Sequence, residues 1–207
     1  MDRLESKKKH WETIYNTKKL QEVAWYQPVP ETSLNFIKAT HLAKDSNIID
    51  IGGGDSFLAD NLLSQGYTNI SVLDISENAI KRAKERLGEK ADEVTWIVSD
   101  ITTFKPSISY DVWHDRAAFH FLTSPEDIQK YLVTMQTAIK PNGFLILGTF
   151  SDKGPTKCSG IEIKQYSIEE LKAAIPDAFK FIEGKNIDHS TPSGSLQNFT
   201  FCKFQKI

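Results

Sequence analysis

The sequence predicts an α/β fold, in which helices cover both faces of a doubly wound, mostly parallel sheet. Two observations support this prediction. Between residues 47 and 150, short apolar runs alternate with segments of helical periodicity. The run at residues 144–150 is almost wholly apolar, as expected of a strand that is covered on both faces. A chain of 207 residues can bury the core of one such domain.

Two helices joined by an extended stretch are predicted before the sheet. Leu4, Trp11 and Tyr15 lie at helical spacing and indicate an amphipathic first helix with an aromatic stripe. Two prolines then favour an extended backbone over residues 25–30. Helical spacing returns over residues 31–42, where a second helix is expected.

Start and stop signals define the later helices. Ser76 is a suitable N-cap, and Gly88 ends the same helix. Ser124, followed by a proline and two acids, begins another helix. Ser167 and Glu170 form a capping box.

In chain order, the predicted elements are a strand at 47–51, a helix at 55–65, a strand at 70–74, a helix at 77–87, strands at 94–99 and 110–114, a helix at 125–140, a strand at 144–150, a helix after 167, and strands at 178–187 and 197–206.

The last two strands resemble a terminal antiparallel pair, and the whole chain is expected to form a single domain. Its expected parts are an N-terminal helical and aromatic cap at 1–42, a cofactor-binding core at 43–150, and C-terminal strands with substrate-side loops at 151–207.

Composition and charge exclude several classes of protein. Lys and Arg number 25, Asp and Glu number 27, and the net charge of −2 argues against a broad basic surface for nucleic acid or membranes. Two cysteines make neither a disulfide framework nor a zinc site. The chain has no secretory signal and no apolar run of about 20 residues. We expect a cytoplasmic protein without a metal, whose oligomeric state stays open.

Three consecutive glycines, residues 52–54, follow the first predicted strand. Glycines permit a tight turn and a close approach of a ligand to the backbone. The flanking Asp50 and Asp55 would repel a pyrophosphate, and Phe57 occupies the position where the dinucleotide-binding pattern requires a small residue. The turn therefore suits a ligand without phosphate, and a turn without any ligand is the alternative.

Acids follow the next two strands. Asp74 can accept two hydrogen bonds from a ribose diol, although it could instead cap the next helix. Asp100, followed by Ile101, could accept a hydrogen bond from the exocyclic amine of adenine. The carboxyl ends of parallel strands meet at one crevice. The sequence thus predicts a ligand with an adenine, a ribose and a positively charged part.

In combination, these residues resemble the class I S-adenosylmethionine-dependent methyltransferases. Asp50, Gly52 and Gly54 match the Asp-x-Gly-x-Gly motif of that family, Asp74 matches its ribose acid and Asp100 its adenine acid. The resemblance implies a Rossmann-like sheet of seven strands, mostly parallel with the last strand antiparallel. It also implies S-adenosyl-L-methionine as the cofactor and methyl transfer as the reaction.

The N-terminal aromatic residues extend the resemblance. They are similar to the cap of small methyltransferases related to the citrate-synthase and elongation-factor lysine methyltransferases. In that group an acid–base pair follows the fourth strand, matched here by Asp115 and Arg116. The aromatic residues would close over the cofactor, or would only pack the first helix on the sheet. The implied cofactor-binding residues are Trp11, Tyr15, Trp25, Tyr26, Asp50, Gly52, Gly53, Gly54, Asp74, Ile75, Asp100, Ile101, Asp115 and Arg116.

The sequence defines the methyl acceptor less closely than it defines the cofactor. His114, His120 and Asp115 are candidate general bases, and histidines packed in the core are the alternative. Cys158 is expected to be an inert buried thiol. A small molecule or a protein side chain is the expected acceptor. Nucleic acid is disfavoured, because the chain lacks both the Asn/Asp-Pro-Pro-aromatic motif and a Pro-Cys nucleophile.

Two other functions stay open at this point. A nicotinamide-dependent oxidoreductase would also use Asp74, but neither Phe57 nor the acids beside the glycines suit it. A non-catalytic module that binds an adenosyl ligand would use the same residues as the enzyme, because methyl transfer needs no diagnostic catalytic side chain.

Overall fold

Seven strands form one sheet in the computed structural model, which describes residues 3–207 of the chain. These strands are β1 (Asn47–Ile51), β2 (Asn69–Asp74), β3 (Val94–Val98), β4 (Tyr110–Arg116), β5 (Ile139–Phe150), β8 (Phe179–Ser190) and β9 (Leu196–Lys206). Two further strands, β6 (Lys157–Cys158) and β7 (Ile161–Glu162), form a small separate hairpin. The order across the seven-stranded sheet is β3-β2-β1-β4-β5-β9-β8.

The strand directions confirm the predicted fold class. β1 to β5 are parallel to one another, whereas β9 runs antiparallel to both of its neighbours, β5 and β8. Residues 1 and 2 of the predicted cap lie outside the described residues.

Six α-helices surround the sheet in the described part of the chain, and three of them begin at the predicted serine caps. The helices are α1 (Arg3–Thr17), α2 (Glu31–Lys38), α3 (Leu58–Ser64), α4 (Glu77–Leu87), α5 (Pro125–Ala138) and α6 (Ile168–Ala174). The hydroxyl oxygens of Ser76, Ser124 and Ser167 accept hydrogen bonds from the backbone N–H three residues later. None of the helices described between residues 3 and 207 has the length and hydropathy that crossing a bilayer requires.

Two helix boundaries differ from the prediction by three residues or more. α2 ends at Lys38, four residues early, and His41 beyond it adopts a left-handed backbone with φ of 54° that a helix does not allow. α3 begins at Leu58, three residues late, because the glycine turn continues before it. The backbone N–H of Ser56 donates to the carbonyl of Gly53 at 2.8 Å.

The central strands are longer than predicted. β4 continues to Arg116, which pairs with Gly148 of β5. β5 already begins at Ile139, before the predicted start at residue 144, and it contains an irregularity where Asn142 has a φ of 62°. The hairpin of β6 and β7 lies in a segment predicted to be a loop.

The two faces of the sheet pack against different helices. Because side chains alternate along a strand, Ile48 and Ile49 of β1 point to opposite faces. Ile48 belongs to the cluster that includes Leu34 of α2 and Leu58 of α3, while Ile49 belongs to the cluster built with α5 and α6. β1 is thereby fixed at the centre of the molecule, with its carboxyl end free to form a site.

A buried hydrogen-bonded chain joins α5 to β4. The indole N–H of Trp113 donates to the hydroxyl of Tyr131 at 3.0 Å, and this hydroxyl donates to Oδ2 of Asp115 at 2.8 Å. All three side chains are fully buried. Removing the central hydroxyl would therefore leave both a donor and a charged acceptor without partners.

We predict that Tyr131→Phe lowers the free energy of unfolding by about 2–4 kcal/mol, because two buried polar groups lose their partner. Urea unfolding followed by circular dichroism measures the change. Val133→Ala is the matched control, since Val133 lies on the same helix and is 52% exposed. Equal stability of the two variants would contradict a stabilising role for this chain of hydrogen bonds.

Candidate functional site

A cavity of about 180 Å³ opens at the edge where the parallel strands end. Its wall contains residues that follow β1, β2, β3 and β4, so the crossover connections bring distant parts of the sequence to one place. The sequence-predicted site residues that line it are Trp11, Tyr15, Trp25, Tyr26, Asp50, Gly52, Gly53, Asp74, Ile75, Asp100, Ile101, His114 and Arg116. Three others do not line it, namely Gly54, Asp115 and His120.

The turn after β1 requires glycine at each of its three positions. Gly52 and Gly54 have φ values of 65° and 43°, in the left-handed region that favours glycine. A Cβ on Gly53 would lie 2.5 Å from Oδ2 of Asp50, and one on Gly54 would lie 2.8 Å from Oδ2 of Asp74. Gly54 thus contributes by leaving space for a carboxylate, although it does not itself line the cavity.

Asp74 is a buried carboxyl group at the end of β2. Its Oδ1 accepts a hydrogen bond from the backbone N–H of Ser76 at 2.8 Å, and no described cation forms an ion pair with it. Burial, helped by the nearby charge of Asp55, raises the pKa of Asp74 to about 7. Such a group is suited to accept hydrogen bonds from neutral hydroxyl groups.

Asp100 is held in place by its own loop. Its Oδ1 accepts hydrogen bonds from the backbone N–H and the hydroxyl of Thr102, at 2.7 Å and 2.6 Å. Among the described residues, no group donates to Oδ2. Ile101 lies beside it as an apolar part of the wall. This end of the cavity can therefore take a flat ring that carries a hydrogen-bond donor.

Helix α1 covers the cavity, and its C-terminal half is attached to α4. Glu12 caps α4, because its carboxylate accepts hydrogen bonds from the backbone N–H of Glu77 at 2.7 Å and of Asn78 at 3.1 Å. Arg82 of α4 donates to the carbonyl of Tyr15 at 2.9 Å. The sequence gives no local sign of the Glu12 contact, since the acid and the helix that it caps lie 65 residues apart.

The predicted aromatic residues line the cavity and also pack on one another. The ring centroid of Trp11 lies 6.1 Å from that of Tyr15, 6.0 Å from that of Trp25 and 5.1 Å from that of Phe121. Both readings of the aromatic stripe, as a cover for a ligand and as packing for the first helix, are therefore consistent with its position.

His114 uses both of its ring nitrogens within the protein. Nδ1 lies 2.7 Å from Oδ1 of Asp50, and Nε2 lies 2.8 Å from the hydroxyl oxygen of Ser33. All three side chains are buried. The geometry makes His114 a residue that orients Asp50 and leaves it no free nitrogen to act as a general base. Ser33 carried no signal in the sequence.

Asp115 and His120, two further predicted site residues, do not line the cavity. Oδ1 of Asp115 accepts hydrogen bonds from the backbone N–H groups of Ala118 and Phe119, so this carboxylate fixes the turn after β4. Burial raises the pKa of Asp115 to about 6. His120 is fully buried and bonded to the backbone of Phe150, and burial lowers its pKa to about 3.

Arg116 and Cys158 lie in the part of the cavity beyond β1. The Nη1 group of Arg116 donates to the carbonyl of Trp25 at 3.2 Å, and the guanidinium lies 5.4 Å from the ring centroid of Phe199. Burial lowers the pKa of Arg116 to about 10, so it remains charged at pH 7. Burial raises the pKa of the Cys158 thiol to about 11, as expected for an inert thiol.

No group of three or more His, Cys, Asp or Glu side chains within residues 3–207 is placed to hold a metal ion. The cavity wall also contains aromatic residues that were not among the predicted site residues. They are Phe57, Phe121, Phe150 and Phe199.

Comparisons with known proteins identify similar sequences and folds. Residues 49–145 match a family model described as a methyltransferase domain. The malonyl-[acyl-carrier protein] O-methyltransferase 2 of Ilyobacter polytropus is 27% identical over 147 residues, which cover 66% of this chain and 55% of that protein. The eEF1A lysine and N-terminal methyltransferase of Mus musculus is 26% identical over 121 residues, or 57% of this chain and 17% of that protein. The chain thus spans about half of the first relative and less of the second.

A solved structure has the same fold. The N-methyltransferase NodS of Bradyrhizobium japonicum WM9, in complex with S-adenosyl-l-homocysteine, superposes with a TM-score of 0.65 at 16% sequence identity. The superposition covers 85% of this chain and 86% of that chain.

We predict that Asp74→Asn stabilises the protein more at pH 8 than at pH 5. The pKa of Asp74 rises from 3.8 to about 7 on folding, so its favourable contribution is present at low pH and is lost as the pH rises through 7. The neutral amide avoids this loss. We expect the melting temperature to rise by several degrees at pH 8, because 1 kcal/mol corresponds to about 2–4 °C in a chain of this size.

Differential scanning fluorimetry at the two pH values measures this effect. Glu77→Gln is the control, because Glu77 is an exposed acid three residues further along the chain. A gain for Asp74→Asn that does not change with pH would show that the carboxyl is not destabilised by burial.

Proposed function

We propose that this chain, which belongs to the class I S-adenosylmethionine-dependent methyltransferases, transfers a methyl group from S-adenosyl-L-methionine to a small molecule or a protein side chain. One observation carries the proposal: the glycine turn, Asp74 and Asp100 follow three neighbouring strands and meet at one cavity. The methyltransferase family match over residues 49–145 supports it.

The residues in the cavity fit the parts of this cofactor. Asp100 and Ile101 would hold the adenine, and Asp74 with Ile75 would hold the ribose. The amino-acid part would follow the turn at residues 52–54, beside Asp50. Gly52 and Gly53 line the cavity without side chains, which allows a ligand to approach their backbone closely.

When bound, the cofactor supplies an activated methyl group for in-line displacement by the acceptor. The protein would act mainly by positioning the acceptor and excluding water. Helix α1, with the rings of Trp11 and Tyr15, would close the adenosyl side of the cavity to solvent. We also propose that the chain forms one domain, with a cap at 1–42, a cofactor-binding core at 43–150 and C-terminal strands with substrate-side loops at 151–207. We further propose a cytoplasmic location, where the two free cysteines would stay reduced.

The names of the two relatives point to different acceptors, an acyl group on a carrier protein and a protein lysine or N-terminus. Both acceptor classes therefore remain in the proposal. A nicotinamide cofactor is disfavoured by the acids beside the glycine turn, since Asp50 and Asp55 are both buried there and would repel a pyrophosphate.

We predict that Asp74→Ala weakens S-adenosyl-L-homocysteine by about 10- to 150-fold, which corresponds to the roughly 1.5–3 kcal/mol of a charge-assisted hydrogen bond. Isothermal titration calorimetry measures the dissociation constant. In the wild type, binding should tighten as the pH rises through about 7, because the ionised carboxylate accepts both ribose hydroxyls. Asp74→Ala should lose this pH dependence.

Glu77→Ala controls for the loss of a nearby exposed acid and should bind like the wild type. An unchanged dissociation constant for Asp74→Ala would refute the ribose role. No heat from the wild type up to millimolar ligand would refute the cofactor assignment itself.

We predict that the protein transfers the labelled methyl group of S-adenosyl-L-methionine to at least one acceptor in a panel of small molecules and proteins. Scintillation counting and mass spectrometry detect the product. Binding of the cofactor without transfer to any member of a broad panel would favour the non-catalytic module, which shares every cofactor-binding residue with the enzyme.

A further inference from the structure

The cavity has two halves with different chemistry. The ends of β3, β2 and β1 supply the acids that would hold the cofactor. The half beyond β1 is formed by the end of β4, by β5 and β9, and by the hairpin of β6 and β7. Its wall contains Phe121, Phe150, Ile161 and Phe199, together with the cation of Arg116. This second half therefore combines apolar rings with a positive charge.

Arg116 has an unused donor group. Its Nη2 atom is buried and has no hydrogen-bond partner, while Nη1 is occupied by the carbonyl of Trp25. In residues 3–207, no carboxylate forms an ion pair with the guanidinium. The nearby Asp50 is instead bound to His114 at 2.7 Å. A buried cation without a partner is unfavourable, and an anionic oxygen in the cavity would relieve this.

The same half offers no side chain suited to remove a proton from an acceptor. Of its titratable groups, His114 has both nitrogens occupied, and the Cys158 thiol stays protonated at neutral pH. Asp115 and His120 do not line the cavity. An acceptor that has already lost its proton at pH 7 needs no general base.

We propose, on the basis of the proposed function, that the methyl acceptor is a carboxylic acid with an apolar or aromatic body, and that Arg116 binds its carboxylate. Nη2 would donate to one carboxylate oxygen, and the body would pack against Phe199 and its neighbouring rings. The second carboxylate oxygen would face the methyl group and react with it.

The reaction balances without a proton transfer. The free carboxylate oxygen forms a bond to the methyl carbon while the bond between this carbon and sulfur breaks. The electron pair of that bond goes to sulfur, so the sulfonium becomes a neutral thioether and the carboxylate becomes a methyl ester.

The test uses aromatic and medium-chain carboxylic acids, each paired with the amide and the alcohol of the same body. Saturation-transfer NMR on the protein with S-adenosyl-L-homocysteine measures acceptor binding, and mass spectrometry with S-adenosyl-L-methionine detects the methyl ester. We expect carboxylates to bind and to be methylated, and their neutral partners to do neither. Binding no stronger for the acids than for the amides, or methylation of the neutral partners alone, would overturn the proposal.

Variants separate the acceptor from the cofactor. Arg116→Gln should lower kcat/KM for a carboxylate at least 100-fold and change the dissociation constant of S-adenosyl-L-homocysteine less than threefold, and Arg116→Lys should recover part of the activity. Lys164→Gln is the control, because it removes an exposed positive charge outside the cavity.

A loss of S-adenosyl-L-homocysteine binding of tenfold or more in Arg116→Gln would assign Arg116 to the cofactor and overturn the proposal. Failure of the wild type to bind this ligand would instead refute the proposed function, before any acceptor is tested.

Discussion

The space left by three missing side chains in the turn after β1 determines the rest of the site. The Cβ atoms that glycine lacks would lie within 2.8 Å of the carboxylates of Asp50 and Asp74 and of the hydroxyl of Tyr15. The ends of β1 and β2 and the covering helix α1 can therefore approach one another at this turn. With any other residue in the turn, one of these groups would have to move, and the cavity would lose part of its wall.

Charge is distributed unevenly around this turn. Asp50 is bound to His114, and Asp55 forms an ion pair with Arg82 at 3.0 Å, but Asp74 has no cation beside it among the described residues. Arg116, in the other half of the cavity, likewise forms no ion pair among the described residues, because the nearby Asp50 is bound to His114. The structure thus keeps one anion and one cation unpaired in a buried site. Such groups lower stability, and a ligand with complementary groups stabilises them.

The covering helix is connected to the same electrostatic arrangement. Arg82 binds Asp55 and also donates to the carbonyl of Tyr15, and Glu12 caps the helix that carries Arg82. Arg82 therefore connects the segment after the glycine turn to α1. The helix that covers the cavity is thus held by the same arginine that neutralises Asp55.

The sequence by itself determined the strands and helices, the glycine turn and the acids that follow each strand, because these depend on local periodicity, on capping and on position within an element. It also predicted Asp115 and His120 as site residues, and neither of them lines the cavity. Only the tertiary structure decided which side chains are paired. Ser33 on His114, Glu12 on α4 and Phe199 beside Arg116 are contacts between segments about 65 to 83 residues apart. Such contacts arise from packing across the sheet and leave no periodic pattern in the chain.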